Sequence, residues 1–158
     1  MHAPAAAPLR FRPLDPDFAA RCRASFGRQA AMRLIGARLT RVGPGFTEIE
    51  LAYREDLTQQ KGYVHGGIVG MIADSACGYA AYSLMPASSS LVTVEYKINL
   101  LAPAVGERLI ARGEVIKPGR TLSVTRGEVC ARKGRKTIRI ALMQQTLMML
   151  PGTPDGPE

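Results

Sequence analysis

The sequence predicts an α+β domain in which one antiparallel sheet wraps around a single long helix. Three observations predict it. Residues 68–85 contain one charged residue, Asp74, and are otherwise apolar or small all round; a helix of that kind must be buried on every side. From residue 92 onward the pattern is strand-like almost to the end, with turn signals between the strands. A shorter pair of strands precedes the helix, so the order is two strands, helix, four strands, and a curved antiparallel sheet is what can enclose such a helix.

Taken in order, residues 1–14 are rich in Ala and Pro and read as a disordered or loosely docked segment. No basic stretch followed by an apolar one stands at the N-terminus, so no signal peptide is read there. Asp15-Pro16 then resembles a helix start, an acidic cap followed by Pro at the first helical position. That helix would run to about Gln29, with Phe18, Cys22 and Phe26 on one face. Leu34–Val42 and Phe46–Tyr53 read as a hairpin around Gly43-Pro44-Gly45. After the central helix, Val92, Val94, Tyr96, Ile98 and Leu100 alternate with Thr93, Glu95, Lys97 and Asn99. Strands at 109–116, 121–131 and 136–148 follow, separated by turns at 117–120 and 132–135, before a Pro-Gly tail (151–158) that reads as frayed. The predicted domain is 15–150.

Composition narrows the function. With 158 residues, 46% hydrophobic and 22% charged, the chain suits one soluble domain. Cys22, Cys77 and Cys130 are odd in number and in no ligand spacing. They point to reduced thiols in the cytoplasm, with no metal site and no disulfide framework. A membrane span is disfavoured because a mid-helix Asp costs about 2.5–3.5 kcal/mol to insert. The net charge of +8 is scattered and accompanied by no basic-plus-aromatic motif. It therefore reads as solvated surface or as steering for an anionic ligand, not as a nucleic-acid site.

One stretch carries chemistry: Gly62-Tyr63-Val64-His65-Gly66-Gly67, followed by Asp74 nine residues after the His. Gly66 and Gly67 open the buried helix, where unpaired N–H groups meet the positive end of the dipole. Glycine also admits close approach of a ligand to the backbone. A lone carboxylate in an apolar helix needs either a bonded structural role or a function. Two alternatives to chemistry stay open here: the glycines serve only a tight turn, and Asp74 bonds only to backbone.

With Leu101-Ala-Pro-Ala-Val-Gly-Glu107 and Gly119-Arg120, these residues make the sequence resemble the phenylacetyl-CoA thioesterase (PaaI-like) branch of the hot-dog superfamily. The resemblance implies the hot-dog fold over roughly residues 33–147 and hydrolysis of an acyl-CoA to free CoA and a carboxylic acid. It favours aryl or arylacetyl groups and leaves short-to-medium chains open. No cofactor is implied, since coenzyme A enters as part of the substrate. Asp74 would attack the thioester or activate water, and Gly66 would be the main oxyanion donor. His65 caps the helix or touches the thioester region, and Gln59 stands where several relatives have an Asn. Thr93 aligns with a residue that holds the attacking water, while Gly67, Arg120 and Arg135 are substrate-binding candidates. Gly66 and Asp74 lie about 12 Å apart along one helix, yet a reacting carbonyl must sit about 3 Å from both its attacker and its donor. The site would therefore combine two chains, with a homodimer as the minimum active unit and a homotetramer expected. Other readings are a non-catalytic acyl-CoA-binding module and a hot-dog hydratase, whose motifs are not found here.

Overall fold

The computed structural model describes residues 11–153 together with Asp155 and Gly156. Residues 1–10 of the loose N-terminal segment and residues 154, 157 and 158 of the predicted tail lie outside the described residues. The chain runs α1 (Phe18–Arg28), α2 (Ala30–Ile35), β1 (Arg38–Gly43), β2 (Phe46–Ala52), a short 3-10 turn (Glu55–Leu57), α3 (Gly66–Tyr82), β3 (Ser89–Leu100), β4 (Arg108–Lys117), β5 (Leu122–Lys133) and β6 (Lys136–Pro151). The six strands form one antiparallel sheet in the order β1-β2-β4-β5-β6-β3. It curls around α3, which packs against β2 through β6. This is the wrapped-helix arrangement expected from the sequence, the hot-dog fold.

Small residues let the sheet close so tightly. Gly113 of β4 and Gly127 of β5 face each other across the ladder. A Cβ on Gly113 would lie 2.2 Å from the Ala76 carbonyl oxygen, and one on Gly127 would lie 2.8 Å from Cys77 Sγ. The glycine pair is thus a notch that receives the middle of α3. Beside it, Thr47 of β2 donates to the Ala76 carbonyl at 2.6 Å. Ile49, Leu51, Ile72, Leu109, Ile140 and Leu147 are fully buried around this contact. Each stabilises the fold by about 1.5–3 kcal/mol relative to exposure.

The N-terminal region differs from its sequence reading. The first helix begins at Phe18, not Pro16, and Asp15 does not cap it. Instead Asp15 accepts from the Asp17 N–H at 2.9 Å and pairs with Arg21 Nε at 2.8 Å. Arg21 in turn donates to the carbonyls of Tyr82, Met85 and Pro86, placing a cation on the C-terminal end of α3 where the dipole favours it. Leu34 and Ile35, expected in a strand, end a second helix. The run Ala30–Ile35 favours helix and buries Met32 and Ile35 at i, i+3 spacing, and Gly36 stops it at φ +75°. Phe11 packs over Gly45 at the same end of α3.

β3 corrects the period-two reading in a way that matters for function. Thr93 pairs with Leu147 and Glu95 with Thr146, so Val94 is an extra residue in the ladder. This bulge inverts the alternation. Thr93, which alternates in sequence with the apolar Val92 and Val94, meets Asp74 of α3. Beyond the bulge, Ile98 and Leu100 still approach the helix at Gly70 and Gly66. β3 is also an edge strand, with Val92, Val94 and Tyr96 exposed by 41%, 52% and 48%. At the other edge, the exposed Arg38 and Arg41 of β1 pair with Glu50 and Glu48. No helix among the described residues is long and apolar enough to cross a membrane.

Candidate active site

Two places on α3 combine free polar groups with access to solvent. The first is its N-terminus. His65 is the cap residue, and its Nδ1 accepts from the Gly67 N–H at 2.9 Å. Accepting at Nδ1 leaves the ring proton on Nε2. The His65 carbonyl takes the N–H groups of Ile68 and Val69. The expectation of two free glycine donors is therefore half met. Gly67 is occupied by the cap, whereas the Gly66 N–H has no acceptor among the described residues. His65 and Gly67 are exposed and Gly66 is half-buried, so a ligand oxygen can reach the dipole's positive end.

The second place is Asp74, two turns further along. Its Oδ1 accepts from Thr93 Oγ1 at 2.8 Å and from Gln145 Nε2 at 2.5 Å, and the same Nε2 lies 2.8 Å from Thr93 Oγ1. Three elements, α3, β3 and β6, thus converge on one carboxylate oxygen. Oδ2 has no protein donor among the described residues. The carboxylate opens into a cleft of about 200 Å³ between α1, α3 and β3, walled by Ser25, Gln29, Gly78, Tyr79, Tyr82 and Leu91. Ser25 and Tyr79 share a hydrogen bond at 3.0 Å. Burial pushes the Tyr79 hydroxyl and the nearby Cys77 thiol each up to about 12. Both are therefore uncharged at neutral pH, and Cys77 is no thiolate nucleophile.

The remaining sequence candidates lie elsewhere. Gln59 sits in the loop before α3, where its side-chain oxygen accepts from the Lys61 N–H at 2.5 Å; the structure does not bring it to Asp74. Arg135 lies in the β5–β6 turn. That turn is tied through Arg132 and Gly134 to Glu107 of the loop beside the helix N-terminus. Arg120 lies in the β4–β5 turn and lines a groove of about 530 Å³ with Arg12, Leu84 and Met85, at the C-terminal end of α3. The two arginines are thus at opposite ends of a 17-residue helix.

Sequence reading missed Gln145, although a signal was present. Ala141, Met143, Gln145 and Leu147 form the alternating buried row of β6, and Gln is the one polar residue in that row. It also missed the contribution of Ser25 and Gln29. No pattern in the sequence says that α1 roofs the cleft beside Asp74.

Comparison with known proteins agrees with this fold. The thioesterase superfamily model matches residues 61–138, a span from the loop before α3 into β6. The crystal structure of a thioesterase family protein from Silicibacter pomeroyi is 47% identical, with a TM-score of 0.84, covering 85% of this chain and 99% of that one. The Escherichia coli PaaI protein of the phenylacetic acid degradation operon shares the fold, with a TM-score of 0.79 at 20% identity over 89% of this chain and 98% of that one. A provisionally named esterase of Saccharolobus solfataricus is 30% identical over 92 residues, 58% of this chain and 65% of the relative. The match thus spans just under two thirds of that relative's length.

Proposed function

The chain belongs to the thioesterase superfamily, and from that premise we propose that it hydrolyses an acyl-CoA thioester to free CoA and a carboxylic acid. The observation that carries the proposal is the Asp74 carboxylate. It is fixed at Oδ1 by two side chains, receives no donor at Oδ2 among the described residues, and stands at a cleft in an otherwise apolar helix. A carboxylate oxygen held in that way can attack the thioester carbonyl or take a proton from water. The Gly66 N–H, unpaired at the positive end of α3, supplies what a developing oxyanion needs. His65 orients this end by capping it, and Thr93 is within reach to accept a hydrogen bond from the attacking water.

The acyl group is assigned to the cleft beside Asp74. Its volume of about 200 Å³, with Tyr79, Tyr82 and Leu91 beside the polar Ser25, Gln29 and Asp155, suits an aryl, arylacetyl or short-to-medium acyl group better than a long chain. Arg120 and Arg135 are carried as candidates for the CoA moiety, since exposed guanidinium groups match phosphate oxygens, and Gly67 as a candidate because glycine admits close approach of a ligand to the backbone. Arg120 and Arg135 of one chain are too far apart along α3 to clamp the same phosphate. Gln59 is carried as a candidate for polarising the carbonyl or placing water.

Because Gly66 and Asp74 are about 12 Å apart on one helix, the active site is assigned to two chains, Asp74 from one and Gly66 from its partner. The exposed apolar residues on the unpaired edge of β3 support a dimer formed there, with a tetramer as the expected full assembly. The free cysteines fit a cytoplasmic setting.

A thiol-release screen across aryl-, arylacetyl-, short-, medium- and long-chain acyl-CoAs tests the reading. Turnover should be greatest for the aryl and arylacetyl esters. Asp74→Asn should keep the oligomer and lower kcat by about 10³-fold. Full turnover of every accepted thioester by Asp74→Asn would sink the assignment.

A further inference from the structure

Gln145 enters the functional reading so far only as one of the two side chains that fix Asp74 Oδ1, and its chemistry is unusual for its position. The side chain is fully buried in β6, in a row otherwise made of Ala141, Met143 and Leu147. A buried polar group left without a partner is costly, and Gln145 Oε1 has none among the described residues. A Met of similar volume would fill the space without that cost. What the amide gains is on its nitrogen side: one bond to Asp74 Oδ1 at 2.5 Å and one to Thr93 Oγ1 at 2.8 Å.

Counting protons shows what this does. Gln145 Nε2 carries two hydrogens, one directed to Asp74 and one to Thr93. Thr93 Oγ1 therefore accepts from Gln145 and spends its own hydrogen on Asp74 Oδ1, at 2.8 Å. The hydroxyl rotor is locked, and one lone pair of Oγ1 is left over. Oδ1 receives two donors, which pins the carboxylate plane, and Oδ2 is left to react. A water lodged at Thr93 could then donate to the leftover lone pair while giving its other proton to Oδ2. Without Gln145, Thr93 could turn its hydrogen toward that water, and either carboxylate oxygen could face the cleft.

We infer that Gln145 is a positioning residue that acts through Asp74 and Thr93. It makes Oδ2 the reacting oxygen and fixes the Thr93 hydroxyl as an acceptor toward the attacking water. This rests on Asp74 being the reacting carboxylate, and the experiment separates the two ideas. Gln145→Met keeps volume and removes both donors. In the thiol-release assay it should lower kcat about 10- to 100-fold, the range expected when a reacting group is misplaced by an ångström or less. KM should stay within about two-fold, because the amide does not face the acyl group. Thr93→Val combined with Gln145→Met should cost less than the product of the two single effects, since both work on the same oxygen.

Unchanged kcat in Gln145→Met, or a rise in KM alone, overturns the inference while leaving Asp74→Asn to report on the hydrolase reading. Retained turnover in Asp74→Asn overturns both. Should Gln145→Met fail to fold, the Gln145 side-chain NH₂ resonances of the wild type decide. They should be downfield and protected from exchange, and both properties should be lost in Asp74→Ala. Ordinary, exchanging resonances in the wild type would refute the contact.

Discussion

The two ends of the proposed chemistry sit on one helix and are built in opposite ways. At Gly66 the functional group is backbone, an N–H that the helix itself cannot pair, and the sequence need only keep side chains out of its way. At Asp74 the functional group is a side chain, and three elements distant in sequence must converge to hold it: α3, the bulged β3 and β6. The difference teaches where each half can be damaged. The backbone half should tolerate any neighbour that leaves the N–H in place. The side-chain half should respond to changes in strands that never touch the substrate.

The largest effect expected from this contrast comes from deleting one N–H. Gly66 is the first residue of α3, a position where Pro fits the helix and loses no intrahelical bond. His65 already has φ −58° and ψ 138°, the extended geometry required before Pro. Gly66→Pro should therefore fold while lowering kcat about 10²- to 10³-fold, the cost of losing one oxyanion donor. Gly66→Ala is the control. Its Cβ would meet Leu100 Cδ1 at 2.8 Å just as Pro would, but the N–H stays, so the gap between the two variants isolates the donor. Equal activity of the two would end the oxyanion assignment. Mixing Gly66→Pro with Asp74→Asn chains then tests the two-chain site. Each mixed dimer holds one intact pairing, so random reassembly should restore about a quarter of wild-type turnover. No recovery in a mixture shown to exchange subunits would place both groups in one chain's site.

The same contrast explains what was legible in the sequence. The Gly66 half is a contiguous stretch from Gly62 to Gly67, and its chemistry follows from helix termini in general. Asp74 was legible as a lone charge in an apolar run, and the helix and strand order around it followed from periodicity. Thr93 could be assigned only by resemblance. It alternates in sequence with the apolar Val92 and Val94, and a single-residue bulge with no local signature turned it inward. Gln145 was readable in principle, as a polar residue in an inward apolar row, but only once the strand's facing was known. The second helix was missed because Leu34 and Ile35 suit strand and helix alike, and Gly36 decided the matter through its positive φ. Local rules gave the elements, and tertiary convergence gave the side-chain half of the site.

A smaller effect should follow from the unpaired edge of β3, which connects the two halves if they belong to different chains. Val94 is both the bulge residue and exposed by 52%. A lysine on an edge strand opposes pairing with a second strand, so Val94→Lys should shift the protein toward monomer by analytical ultracentrifugation. Turnover per chain should fall about tenfold or more in proportion to the monomer formed. A variant that remains dimeric at full activity would move the interface elsewhere. A variant that becomes monomeric at full activity would instead break the two-chain site.

The smallest effect concerns what stands directly behind Asp74. Cys77 is one helical turn further on, and burial raises its thiol from 9.0 to about 12, with the charge of Asp74 adding to the rise. Such a thiol is inert as a nucleophile at neutral pH, so Cys77→Ala should keep kcat within about two-fold if the carboxylate alone reacts. The residue still leaves a mark on stability. Below pH 9 the thiol is protonated in both folded and unfolded chains and contributes no pH dependence. Between pH 9 and about 12 the unfolded chain releases a proton that the folded chain retains, so stability falls as pH rises. One such group contributes a slope of about 1.4 kcal/mol per pH unit across that window. Denaturant titrations from pH 8 to 11 should therefore show a shallower alkaline decline in Cys77→Ala than in the wild type, with Cys22, raised to about 12 by its own burial, accounting for part of what remains. An unchanged slope would mean that water reaches the thiol, and that the middle of α3 is less dry than the packing of Gly113 and Gly127 against it requires.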